Sequence, residues 1–180
     1  MTSIGDGAFF DCNSLAEVVI PNSVVYINGN PFYAWLGKLE CLSPSFVYEN
    51  NILFNKDKSR IISFRNQKQT SYVIPNSVTS IGEYAFFACN SLAEVVIPNS
   101  VTNIGDHAFS GCSSLAEVVI PNNVTNIGDR AFSFCSSLAE VVIPNSVTSI
   151  GEGAFEYCNF PCDLRQELIS RFGDKIFKQL

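Results

Sequence analysis

The chain has 180 residues, 47% of them apolar, and a net charge of −6. It is long and apolar enough for one packed domain, which excludes a disordered chain. No apolar run approaches the roughly 20 residues of a membrane span, and the opening MTSIGDGAFFDCN lacks a basic start followed by an apolar leader.

The first element begins at Ile4 and returns to an equivalent residue, Ile27, 23 positions later. Its strand phrase, LAEVVIPN at 15–22, recurs at 92–99, 115–122 and 138–145. Ile81, Ile104, Ile127 and Ile150 are also spaced by 23. The unit reads I-G-[DE]-x-A-F-x-x-C-x-S-L-A-E-V-V-I-P-N-[SN]-V-T-x. A unit this short cannot bury its own apolar face, so a fixed period predicts a solenoid in which stacking makes the core continuous.

Within a unit, LAEVVI is rich in β-branched residues and ends at Pro-Asn, a strand followed by a turn. Alternation turns Leu92, Val95 and Ile97 inward, and Glu94 and Val96 outward. Val101 and Ile104 mark a second short extended segment. GDHAFSGC is expected to form a single helical turn, with Asp106 near its start and Ala108, Phe109 and Cys112 facing the core. Equivalent strands in successive turns must run parallel, through right-handed connections, rising about 4.8 Å per turn.

Residues 28–70 depart from the pattern. INGNPF replaces IGDGAF, and Trp35 stands where other units carry cysteine. Leu39 and Leu42 are expected to mark a displaced strand. Ile52–Phe54 and Arg60–Phe64 read as the arms of a hairpin turning at Asn-Lys-Asp-Lys-Ser and bulging from one side of the coil. The repeat resumes at SYVIPNSV and runs to residue 159. From Phe160 the character changes: Asp163 is the expected N-cap of an amphipathic helix with Leu164, Leu168 and Phe172 on one face and Gly173 as its stop. That helix, over 160–180, would cover the last turn of a solenoid spanning 1–159. No equivalent cover is visible on the N-terminal side, where an uncovered apolar end predicts a preceding segment or end-to-end self-association.

The pattern L-x-x-V-x-I, and the fuller form IGxxAFxxCxSLxxVxIPxSVTxIG, resemble the BspA-like leucine-rich repeats. The likeness is close over 2–27 and 71–159. It implies an α/β repeat fold: a right-handed, horseshoe-type leucine-rich-repeat solenoid of about seven turns, with short parallel strands, short helical turns, an inserted β-hairpin and a C-terminal capping helix. It also implies a non-enzymatic protein-binding module of a cell-surface or secreted protein, adhering to host or extracellular-matrix proteins. The alternative is a purely structural spacer within a larger protein.

The charge distribution agrees with a protein partner. Residues 1–26 and 71–159 hold eleven acids against one base, Arg130, whereas 27–70 hold six bases against three acids. So acidic a repeat region repels phosphate, which argues against a nucleic-acid partner. No phosphate-cradling, nucleophile-elbow or HExxH motif is present. Cys12, Cys89, Cys112, Cys135 and Cys158 share one repeat position and read as a column of buried free thiols, with disulfides between successive turns or between Cys158 and Cys162 as the alternative; no CxxC pairs them for zinc. His107, the single histidine, occupies a position filled elsewhere by Gly7, Tyr84, Arg130 and Gly153 and reads as solvent-facing. The Asn after each Pro reads as a turn residue bonding its own backbone. Asn123-Val124-Thr125 fits a glycosylation sequon, but the repeat alone explains it. No cofactor, metal site or catalytic group is expected.

The candidate partner face is the outward strand surface: Glu17, Glu94, Val96, Glu117, Val119, Glu140 and Val142. Two carboxylates about 5 Å apart repel by roughly 0.8 kcal/mol in water. Duplication copies that cost whether or not it is useful, so a solvated acidic stripe is the alternative to a recognition surface. The insertion, with its bases and Tyr33, Trp35 and Tyr48, is a second candidate surface unless those aromatics refill a distorted core.

Overall fold

The computed structural model describes residues 1–178, which wind as a β-solenoid of about six turns. One side is a column of two-residue strands. Ser3–Ile4 pairs with Tyr26–Ile27, and Ser80–Ile81, Asn103–Ile104, Asn126–Ile127 and Ser149–Ile150 pair successively, all parallel. Ile81, Ile104, Ile127 and Ile150 therefore stand in one row, and each is at most 2% exposed. The second side carries the longer strands in three parallel pairs: Glu17–Ile20 with Lys38–Cys41, Ser71–Val73 with Glu94–Val96, and Glu117–Val119 with Glu140–Val142. Side chains alternate as the pleat requires: Val95, Val118 and Val141 are buried between exposed neighbours. At the following bend, the Val78, Val101, Val124 and Val147 N–H groups donate to the carbonyls of Pro75, Pro98, Pro121 and Pro144. The turn is closed by backbone rather than by the Asn side chain.

The third side is not helical, contrary to expectation. In the turn after Ile104, alternate N–H groups leave the turn: His107, Phe109 and Gly111 donate to the carbonyls of Asp129, Ala131 and Ser133 in the next one. The N–H groups between them, on Ala108, Ser110 and Cys112, close tight local bends onto Gly105, His107 and Phe109. Such alternation needs residues in the left-handed region, and each regular turn has two, Tyr84 and Ala88, His107 and Gly111, Arg130 and Phe134. A continuous helix would use every N–H internally and leave the turns unlinked. The repeated geometry instead ties each turn to its neighbour. Asp106 assists, its Oδ1 accepting from the Asp129 N–H at 2.8 Å, as Asp129 does from Glu152 at 2.8 Å.

Inside, the repeated phenylalanine becomes a stack. Phe86, Phe109, Phe132 and Phe155 lie 4.8, 5.2 and 5.6 Å apart, with planes within 12° of parallel. Beside it, Cys112, Cys135 and Cys158 each direct the thiol 3.2 Å from the carbonyl of a phenylalanine in the preceding turn.

The turn count is about six rather than about seven, because residues 28–80 do not form two complete turns. Lys38–Cys41 is one displaced strand; Leu39 faces inward as expected, but Leu42 is 52% exposed. The expected hairpin exists as Ile52–Asn55 and Arg60–Phe64, and a further strand, Phe46–Glu49, precedes it. It does not bulge away. Arg60 and Ile61 pair in parallel with Ser80 and Ile81, so the hairpin's second arm supplies a missing element of the short-strand column. Trp35 and Phe32 are buried at 1% and 2% exposure, so Trp35 fills the core, whereas Tyr33 and Tyr48 are only half-buried.

The helix spans Cys162–Phe172, with Pro161 at its N-cap and no side-chain cap; Asp163 lies in the first turn instead. Leu168 is buried, Leu164 and Phe172 are half-buried against the last turn, and the chain leaves at Gly173 with φ 85°. A short 3-10 helix, Asp174–Phe177, follows. The Gly153 and Phe155 N–H groups donate to Lys175 and Ile176 there, so this segment replaces the next turn. No helix among the described residues is long and apolar enough to cross a membrane.

Candidate binding face

The outward residues of the long strands are where alternation places them. Val96, Val119 and Val142 are 45%, 54% and 56% exposed, and Glu94, Glu117 and Glu140 are exposed beside them. Val19 and Val73, at 42% and 67%, belong to the same face. Val19 was legible from its place in LAEVVI; Val73, in the divergent SYVIPNSV, follows from alignment with Val96.

The carboxylates are not one uniform row. Glu17 pairs across its strand with Lys38, at 2.7 Å. Glu94 stands opposite Ser71, and only Glu117 and Glu140 are glutamates in direct register. Glu17 is thus separated from the other three by the irregular block. Between the second and third strand pairs lies a shallow groove of about 600 Å³, walled by Val96, Val119, Val142, Pro121 and Pro144 and rimmed by Glu94 and Glu117. Apolar floor and acidic rim are chemically suited to a segment carrying both apolar and basic side chains.

The buried thiols of the column offer no reactive centre. Burial pushes the Cys135 thiol up to about 12 and holds those of Cys112 and Cys158 well above the ordinary value, keeping them protonated at neutral pH. Among the described residues no three His, Cys, Asp or Glu groups are placed to hold a metal ion. His107 is not a free surface side chain. It is half-buried, stacked 4.6 Å from Tyr84, which in turn stacks 4.3 Å from Tyr33. Burial, and then the Arg130 charge, lower its pKa.

Comparison with known proteins agrees with this architecture. Six copies of the BspA type leucine rich repeat region match residues 1–56 and 60–180. A leucine rich cell surface protein from Faecalibacterium prausnitzii superposes with a TM-score of 0.71 at 26% identity, over 100% of this chain and 55% of that one. The leucine-rich repeat protein of T. pallidum is 31% identical, over 94% of this chain and 76% of that one, with a TM-score of 0.61. The pneumococcal vaccine antigen PcpA, 19% identical, shares the fold over 100% of this chain and 60% of its own, with a TM-score of 0.67. This chain thus spans little more than half the length of the F. prausnitzii protein. Among curated proteins none matches it. With its 23-residue period, its stacked strands and its phenylalanine and cysteine columns all accounted for, the chain belongs to the BspA-type leucine-rich-repeat family.

Proposed function

We propose that this chain is a non-enzymatic protein-binding module displayed at a cell surface or secreted, and that it adheres through its long-strand face to a host or matrix protein. The observation that carries the proposal is the groove between Glu94–Val96 and Glu117–Val119. There a valine stripe about half exposed lies directly beside carboxylates. Each strand beside the groove is held in its own parallel pair, Glu94–Val96 with Ser71–Val73 and Glu117–Val119 with Glu140–Val142, so the face is largely ordered before any partner arrives, which reduces the entropy lost on association. The cell-surface description of the F. prausnitzii relative supports the location.

The test is binding of immobilised matrix and serum proteins to the intact chain and to two triple variants. One changes Glu94, Glu117 and Glu140 to Gln; the other changes Val96, Val119 and Val142 to Ser. Saturable binding that weakens at least tenfold in both variants supports the reading. Binding that neither variant alters removes it. A spacer role predicts no saturable partner at all, and the near-identity of the turns favours that second reading.

A further inference from the structure

The turns are near copies, yet a few positions vary among them. The largest differences fall three, six and seven residues after each Ile-Gly isoleucine. The first series runs Tyr84, His107, Arg130, Gly153; the second Phe87, Ser110, Ser133, Glu156; the third Ala88, Gly111, Phe134, Tyr157. All three lie on the non-helical side, and they converge on a second pocket of about 500 Å³ that shares no residue with the strand-face groove. The volume lies within the roughly 300–1,000 Å³ of small-molecule sites.

The chemistry of this pocket is mixed and balanced. Phe134 and Tyr157, each 52% exposed, lie against one another with ring centroids 4.5 Å apart and planes 31° from parallel, and present their outer edges and faces to the pocket. At its edge is Glu156, only 5% exposed. Its nearest cation is Arg130 Nε, at 3.7 Å, beyond hydrogen-bond distance. Ser110 and Ser133 hydroxyls lie 2.9 Å apart, and Ser133 donates onward to the Arg130 carbonyl at 3.0 Å. Ser110 then donates to Ser133 and keeps its lone pairs free for a donor from the pocket. His107 adds an imidazole kept neutral by burial and by Arg130, with one donor and one acceptor.

We propose that this pocket is a binding site for a neutral saccharide. A sugar ring has an apolar C–H face to pack against the exposed outer surface of the Phe134–Tyr157 stack, and hydroxyls that donate to Glu156 and Ser110 while accepting from Arg130. Arg130 repels a cation and Glu156 repels an anion, so charge balance selects an uncharged, hydroxyl-rich ligand over a lysine side chain or a phosphate. The repeat itself explains why the site is local: only in these turns do an exposed aromatic pair and a buried carboxylate coincide.

The experiment uses the full chain, saturation-transfer NMR and calorimetry. The probes are neutral tetrasaccharides of glucose, galactose, mannose, xylose and N-acetylglucosamine, with a heparin tetrasaccharide as the charged comparison. At least one neutral probe is expected to bind with a millimolar or tighter Kd, and the heparin fragment is expected to bind at least tenfold more weakly. Tyr157→Ala and Glu156→Gln should each reduce affinity tenfold or more. Tyr157 is exposed, so its variant tests the site even if Glu156→Gln disturbs folding. Val119→Ser, on the strand face, should leave sugar binding unchanged, which separates this site from the adhesive one. A glycoprotein retained before but not after enzymatic deglycosylation identifies a protein-borne glycan as the source, and retention on an unconjugated polysaccharide identifies a free one. Absence of binding by every neutral probe, or binding that survives Tyr157→Ala, overturns the proposal.

Discussion

From Phe86 to Phe155 the core is built from one ring and one thiol per turn, while beside the stacked Phe9 and Phe32 a tryptophan stands in a thiol's place and a guanidinium packs over it. In the first region each thiol meets a carbonyl of the turn before it. In the second, Trp35 occupies the cysteine position and its Nε1 donates to the Leu15 carbonyl at 2.8 Å. Arg65 packs over Trp35, 4.6 Å from its ring, and donates to the carbonyls of Trp35 and Gly37. The buried residues accordingly form two clusters, one from Ile4 to Ile62 and one from Ile52 to Phe177, which interleave only within the hairpin. The difference teaches that a repeated unit can be replaced, provided the substitute still answers the exposed backbone groups of the turns on either side.

The comparison is broken most directly at its two largest side chains. Trp35→Ala and Phe132→Ala should each cost about 3–5 kcal/mol in chemical denaturation followed by circular dichroism. Hydrogen exchange separates them: Trp35→Ala should expose amides mainly within 4–64, and Phe132→Ala mainly within 104–155. Equal loss in both regions under either change would mean that the two clusters open as one unit.

Arg65 sharpens it next. Its guanidinium is largely buried, and desolvation lowers its pKa. Arg65→Met should cost about 1.5–3 kcal/mol, because two carbonyls lose a charged donor. Arg65→Lys should recover little, since one ammonium cannot reproduce the planar fork. A full rescue by lysine in the same denaturation experiment would show that charge alone suffices there.

The thiols should then give the regular stack its own pH dependence. An unfolded cysteine ionises near pH 8.5, whereas Cys135 in the fold does so at about 12. Below the lower value both states hold the proton and stability is flat. Between the two the unfolded state alone releases it, so stability falls by about 1.4 kcal/mol per pH unit per thiol. Cys135→Ala should remove one thiol's share of that alkaline slope. In native alkylation followed by mass spectrometry, exposed Cys162 should react first, and Cys89, Cys112 and Cys135 only on unfolding.

The smallest effect is expected on the strand face. Glu117→Gln should raise stability by at most about 0.8 kcal/mol at low salt, and less as ionic strength rises. Glu17→Gln should not raise it, because Glu17 faces Lys38 rather than another carboxylate.

Much of this architecture was readable from spacing. Ile104 and Phe109 recur with one period, and a period together with β-branched alternation fixes stacking, register and the inward face. The non-helical side was misread because Ala108, Phe109 and Cys112 also suit helical spacing. The corrective signal was the recurrence of glycine at Gly7, Gly111 and Gly153, positions where the backbone is left-handed. The strand Phe46–Glu49 and the role of Arg65 depend on contacts between segments far apart in sequence, which no local pattern encodes. The strand-face residues were legible from alternation alone. The pocket around Glu156 was not, because it gathers the very positions at which the repeat stops repeating.

The segment Asp174–Phe177 receives the last turn's N–H groups without presenting a fresh row of its own strands. It acts as a terminator whose fit depends only on the single turn beneath it. The count of identical turns below is therefore a free variable: duplicating one 23-residue unit between Ile104 and Ile127 would lengthen the molecule by about 4.8 Å and leave both extremities untouched. The protein is in this sense a ruler, whose reach can be adjusted by whole divisions without redesigning anything it touches.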